Sequence, residues 1–155
     1  MTEGAALGRV LGIDWGSKRI GLAISDRTRT LASPLGVVAR RSGKRPPLKK
    51  LQEIADAEEV TGVVMGLPLE VDGSESEWTG EVRAVGRRLA DRLGVPLAFA
   101  DERFSSTEAV FRIRSTGLPR KKREGKGRVD QAAAALILQG WLDGAREWGR
   151  DEESA

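Results

Sequence analysis

The apolar residues of this chain keep a strand period through three consecutive segments before any helical spacing appears, and that order limits the possible folds more than any other feature. Arg9 to Trp15 reads as a strand, and Arg19 to Ser25 reads as a second with Ile20, Leu22 and Ile24 alternating. Gly16-Ser17-Lys18 between them supplies turn residues, so the pair reads as an antiparallel hairpin. Leu31 to Ala39 forms a third strand, in which Pro34 marks an edge or a bulge. Helical spacing then takes over: Pro46 and Pro47 suit a helix start, and Leu48, Leu51, Ile54 and Ala55 follow. Short apolar runs at Gly62 to Gly66 and Val95 to Ala100 alternate with further helical stretches. Three adjacent strands followed by alternating helix and strand predict an α/β fold in the order βββαβαβαα.

Punctuation residues bound the later elements. The loop from Leu67 to Gly73 ends at Ser74, and Glu77 three residues on makes a capping box. The helix that follows carries Trp78, Val82, Val85, Leu89 and Leu93 on one stripe, and Gly94 closes it. Ser105 and Glu108 form a second capping box for a helix with Ala109, Val110 and Ile113 inward. Gly117 to Arg128, with almost no apolar content, is expected to be a loop. Asp130 to Trp148 is expected to be the last helix, with Leu138, Trp141, Leu142 and Ala145 facing in. The 155 residues contain no repeat and no linker, which predicts one domain over 1–155 with tails at 1–8 and 150–155.

What the composition lacks narrows the chemistry. There is no Cys, so thiol nucleophiles, disulfides and thiolate metal sites are excluded. There is no His, which removes imidazole bases and the usual Ser-His-Asp arrangement, and no Tyr to act as a nucleophile. Catalysis must come from carboxylates, Lys, Arg, hydroxyls, backbone amides or a metal held by oxygen. The first eight residues are small and polar, and Val10 to Trp15 is too short for a signal or membrane segment, so a cytoplasmic protein with no membrane association is expected.

Three acidic positions stand at the ends of predicted elements. Asp14 lies near the end of the first strand, on the face shared by Val10 and Gly12, and Gly12 and Gly16 are expected to leave space around it. Asp101-Glu102-Arg103 follows the fifth strand, at the carboxyl edge where open α/β sheets gather their sites. Strand alternation gives Asp101 and Glu102 opposite faces, so only one of them should serve such a site. Asp130 opens the last helix, where an acid also complements the helix dipole, and Ala132 to Ala135 allow that helix close to a sheet. Each position taken singly fits a turn former or a cap. Together, with no His or Cys, they fit oxygen ligation of hard divalent cations that activate water at a phosphodiester.

Positive charge is concentrated in two runs. Lys and Arg number 26 against 23 Asp and Glu, and three of the acids (Asp151, Glu152, Glu153) fall within the last five residues. Arg40, Arg41, Lys44, Arg45, Lys49 and Lys50 form one run; Arg120, Lys121, Lys122, Arg123, Lys126 and Arg128 form another, just before Asp130. Such runs are ordinarily solvated faces. Cations beside candidate metal ligands also suit a phosphate backbone, and the lack of aromatics within either run points to backbone rather than base recognition.

Five segments resemble the YqgF/RuvX family of Holliday junction resolvases in the ribonuclease H-like superfamily. They are Gly12-Ile13-Asp14-Trp15-Gly16-Ser17-Lys18-Arg19-Ile20-Gly21, Ser33-Pro34-Leu35-Gly36, and Gly66-Leu67-Pro68 with Asp72-Gly73. Asp101-Glu102-Arg103-Phe104-Ser105-Ser106-Thr107-Glu108-Ala109 and Lys126-Gly127-Arg128-Val129-Asp130-Gln131-Ala132-Ala133 complete the set, in order over residues 9 to 142. The resemblance implies a ribonuclease H-like fold: a five-stranded mixed sheet, its first three strands antiparallel, flanked by helices. It also implies Mg²⁺ or Mn²⁺ held by Asp14, Glu102 and Asp130, with Glu102 rather than Asp101 in the set. Lys18, Arg19, Arg103, Ser105 and the Arg120 to Arg128 cations would then face nucleic acid. Members of the family are described as junction resolvases and as nucleases processing the 5′ end of pre-16S rRNA, so branched DNA and precursor rRNA are both expected partners. Junction resolution needs two symmetric cuts and hence a homodimer, for which Phe111 is a candidate contact. The competing expectations are a non-catalytic nucleic-acid-binding module and an ATP-dependent phosphotransferase. The second has no phosphate loop and no room for a second lobe.

Overall fold

Strand pairing in the computed structural model, which describes residues 7–40, 45–70, 72–101, 122–144 and 148, builds one five-stranded sheet. Its strands are β1 (Arg9–Trp15), β2 (Arg19–Ser25), β3 (Ala32–Ala39), β4 (Val60–Leu67) and β5 (Leu97–Asp101), in the spatial order β3-β2-β1-β4-β5. β1 with β2 and β2 with β3 run antiparallel, while β4 lies parallel to both β1 and β5. The short turn after Trp15 permits the first hairpin, and the helical crossovers before β4 and β5 enforce the parallel pairs. Pro34 sits on the edge strand at a register shift opposite Leu22 and Ala23, where its missing N–H does no harm.

The described helices are α1 (Leu48–Ala57), α2 (Glu77–Leu93) and α3 (Lys122–Asp143). They cover opposite faces of the sheet. Leu11, Ile13, Trp15, Met65, Leu51, Val82, Val85 and Leu89 belong to one apolar layer, shared by α1 and α2. Val10, Ala23, Val64, Ala98 and Ala100 form the other with Ala134, Ile137, Leu138, Trp141 and Leu142 of α3. Alternation along β1 therefore sends odd positions toward α1 and α2 and even positions toward α3. Each fully buried Leu or Ile contributes about 1.5–3 kcal/mol to holding these layers together.

Several boundaries differ from the expected ones. The cap of α2 is Ser76, not Ser74: the Ser76 hydroxyl accepts from the Thr79 amide, and the Thr79 hydroxyl accepts from the Ser76 amide. Ser74 instead bonds Asp72, its amide and its hydroxyl both donating to that carboxylate, so the Asp-Gly turn consumes it. Gly94 closes α2 in the left-handed region as expected, with φ 69°. β4 is longer than the apolar run from Gly62 to Gly66, β5 starts at Leu97 rather than Val95, and exposed Leu31 lies outside β3.

The largest differences concern α3. It begins at Lys122, so the part of the basic run from Lys122 to Arg128 is helical rather than loop, and Asp130 lies in the helix interior rather than at its start. Charged residues with long stems are good helix formers, which a reading based on apolar content misses. α3 also ends at Asp143. Trp148 lies beyond it and packs on Trp141 with ring centroids 4.7 Å apart, which kept its apolar signal in phase with the helix. The expected Ser105–Glu108 helix and the Gly117–Lys121 part of the loop fall outside the described residues.

Candidate nucleic-acid cleavage site

The carboxyl ends of β1 and β4 and the interior of α3 meet at one end of the sheet. Asp14, one residue before the end of β1, is buried on the α3 face and pairs in register with Gly21 of β2. Gly21 is what admits α3. A Cβ on it would stand 2.1 Å from the Asp130 carbonyl oxygen, so only a residue without a side chain lets the helix backbone rest on the strand there. The Asp14 and Asp130 carboxylates are brought into one cleft by this backbone contact. Its other walls are Trp15, Gly16, Ser17, Lys18, Arg19, Pro68 and Trp78, around a volume of about 480 Å³.

The glycines beside Asp14 serve packing, contrary to the expectation that they leave room for a ligand. A Cβ on Gly12 would meet Leu138 at 2.8 Å, and one on Gly16 would meet the Arg19 carbonyl oxygen at 2.4 Å inside the hairpin turn. Gly16 nonetheless lines the cleft with its backbone, alongside Lys18, Arg19 and Asp130. There the Arg19 Nε donates to Asp130 Oδ2 at 2.6 Å, a charge-assisted bond between side chains 35% and 21% exposed. It spans 111 positions of sequence and fixes the direction of the Asp130 carboxylate.

Asp101 stands on the other face. Leu97 and Phe99 of β5 pack with the α1–α2 layer and Ala98 and Ala100 with the α3 layer, so alternation gives Asp101 to the α1–α2 side, away from Asp14. Glu102, Arg103, Ser105, Arg120 and Lys121 lie outside the described residues, as does Phe111. Of the expected nucleic-acid contacts, Lys18 and Arg19 line the cleft. Lys122, Arg123, Lys126 and Arg128 are placed by their backbone on α3, ahead of Asp130.

A hard divalent cation asks for carboxylate oxygens, and the cleft offers two from separate elements, which fits that chemistry. Among the described residues no group of three or more acids is gathered, so the described part of the chain accounts for two donors of such a shell.

Two neighbours of the cleft escaped the sequence reading. Arg40, counted in a solvated basic run, has a side chain only 9% exposed. Its guanidinium lies 4.8 Å from the Trp15 ring and 5.7 Å from the Trp78 ring, and donates to the Gly16 carbonyl and to Glu81, both at 3.2 Å. Trp78, read as part of the apolar stripe of its helix, does pack against the α1–α2 layer but is only half-buried and also lines the cleft. Its place at the very start of α2 was the available signal, since helices after parallel strands begin at the site end of the sheet.

Comparison with known proteins places this arrangement. The family model for RuvX, described as Holliday junction resolvase, matches residues 8–144. A relative from Anaeromyxobacter sp. (strain K) is 46% identical over 135 residues, covering 87% of this chain and 96% of its own. One from Salinibacter ruber is 42% identical over 136 residues, covering 87% and 92%. Both are provisionally named pre-16S rRNA nuclease. Among solved structures, T. thermophilus RuvC in complex with a Holliday junction substrate aligns with a TM-score of 0.56 at 17% identity, over 88% of this chain and 95% of that one. That likeness shows a shared fold, the ribonuclease H-like arrangement expected from the sequence.

Proposed function

The chain belongs to the RuvX family, and from that membership and the Asp14–Asp130 cleft we propose a divalent-metal-dependent endonuclease that hydrolyses phosphodiester bonds of structured nucleic acid. The observation that carries the reading is the convergence of two carboxylates, 116 positions apart in sequence, on a cleft flanked by Lys18 and Arg19. Asp14, Glu102 and Asp130 are the proposed ligands of Mg²⁺ or Mn²⁺. Asp101 is left out because it stands on the opposite face. A divalent cation bound by these carboxylates would supply Lewis acidity and a lowered pKa for bound water.

The chain's own groups set the stage for that step. Asp14 is held by a strand hydrogen-bonded on both sides, so its carboxylate starts from a rigid backbone. Arg19 keeps Asp130 turned into the cleft, and Lys18 offers a cation to a phosphate oxygen beside them. Arg103, Ser105 and the cations from Arg120 to Arg128 are proposed to hold the flanking backbone, reading charge and shape rather than sequence. The family is described as a Holliday junction resolvase and the relatives as pre-16S rRNA nucleases, so junction DNA and precursor 16S rRNA are the proposed substrates. Symmetric resolution of a junction would require a two-fold homodimer, whereas trimming a single RNA strand would not.

Asp14→Asn should lower cleavage of a four-way DNA junction and of a ribosomal precursor by about 10³-fold or more, the several kcal/mol a bound cation contributes to the transition state. Binding should be largely retained. Cleavage at the parent's rate would refute the site. No cleavage by the parent in Mg²⁺ or Mn²⁺, with salt-dependent binding intact, would instead support the non-catalytic binding module.

A further inference from the structure

We propose that Trp78 is a stacking platform for an unpaired base beside the cleaved phosphodiester, so that the substrate presents an unstacked nucleotide at the cleavage position. The inference rests on the nuclease reading above and deepens it. Trp78 and Leu93, at the two ends of the inward stripe of α2, pack against the core but are only half-buried, and of the two it is Trp78 that lines the cleft. A core position asks only for apolar volume. An indole left half-open in a cleft that also holds Asp14, Lys18, Arg19 and Asp130 is placed among groups suited to a nucleotide.

The ring is also fixed in advance. Ser76 and Thr79 bracket it with the capping box, and the Thr79 hydroxyl donates to the Pro68 carbonyl at 2.8 Å, tying the start of α2 to the end of β4. Arg40 holds the other side through its contacts with Trp15, Gly16 and Glu81. A side chain that loses little freedom on binding gives more of its stacking energy to affinity. Base stacking on an aromatic ring paired with a cation for the backbone is how proteins hold single strands, and Trp78 and Lys18 supply one of each in the same cleft. A continuous duplex keeps its bases stacked on one another and offers the cleft only phosphates. A nucleotide at a branch or a single-stranded end is free to turn its base onto the indole. The other tryptophans do not compete for the role: Trp15 is buried beneath Arg40, and Trp141 and Trp148 pack together at the opposite end of the sheet.

The test uses binding, so it does not depend on turnover. In the Asp14→Asn protein, affinity is measured for a duplex with a four-nucleotide single-stranded extension carrying 2-aminopurine at its first unpaired position, and for the blunt duplex. The extended probe should bind more tightly, with quenching of 2-aminopurine. Trp78→Leu, which keeps apolar packing, should weaken the extended probe about tenfold, change the blunt duplex less than twofold and abolish the quenching; Trp78→Phe should restore most of the loss. Equal losses on both probes, no loss on either, or quenching that survives in Trp78→Leu would overturn the proposal. If Trp78→Leu shows no cooperative unfolding, the quenching in the parent background and in Trp78→Phe decides, and its absence overturns the proposal. Failure of the nuclease reading would show separately, as cleavage unaffected by Asp14→Asn.

Discussion

Gly21 controls how near α3 can come to the sheet, and through that the spacing of the two acidic side chains. A methyl group at this position would stand 2.1 Å from a backbone oxygen of α3, and a backbone atom cannot swing aside as a side-chain tip can. Gly21→Ala should therefore force the helix outward, at a cost of about 3 kcal/mol and about 10 °C in Tm, measured by thermal unfolding. Cleavage at a temperature where the variant is still folded should fall much further than the folded fraction. The placement of Asp14 near the end of β1, on the face of Val10 and Gly12, was legible in the sequence because strand alternation assigns the face. The part played by Gly21 was not, because a glycine inside an alternating strand gives no sign of which distant backbone will press on it. Arg40 was misread for a related reason: its charge is visible in the sequence, whereas the two indoles that cover it lie 25 and 38 positions away.

At the level of elements, caps and turns determine where the pieces begin. Ser76→Ala should cost about 1 kcal/mol, seen as a lower denaturation midpoint, while Ser74→Ala should cost less because Ser74 serves only the turn at Asp72. The loop between β2 and β3 is organised by Asp26. Its carboxylate accepts from the Thr28 hydroxyl and from the Thr30 and Leu31 amides, and these bonds hold it below the usual carboxylate range. A group depressed in the folded state stabilises at pH values above its unfolded pKa and loses that contribution as pH falls through its folded one. The loop's contribution should hence be complete at neutral pH and fade below about pH 4, and Asp26→Asn should flatten the Tm profile in that acid range alone. The strands and the first two described helices were readable from period and punctuation. The start of α3 was not, because Lys and Arg favour helices without leaving any apolar trace.

For the molecule as a whole, stability and chemistry occupy different parts of the architecture. Two apolar layers on either side of the sheet hold the fold, and the cleft with its carboxylates lies beyond them at one end. Chelation by EDTA should thus abolish cleavage while leaving a cooperative thermal transition. Adding Mn²⁺ should raise Tm in the parent, by an amount corresponding to about 2.7 kcal/mol at a hundred times its Kd, with no comparable rise in Asp14→Asn. No described helix is long and apolar enough to cross a membrane, consistent with a chain whose apolar surface is spent on these two layers. The resting of α3 on bare strand at Gly21 has one more consequence. Because main chain meets main chain there, the helix is seated independently of which side chain follows at 130. Under the proposed metal site, exchanging the donor at that position for one of different length or hardness would change ion preference without reseating the scaffold.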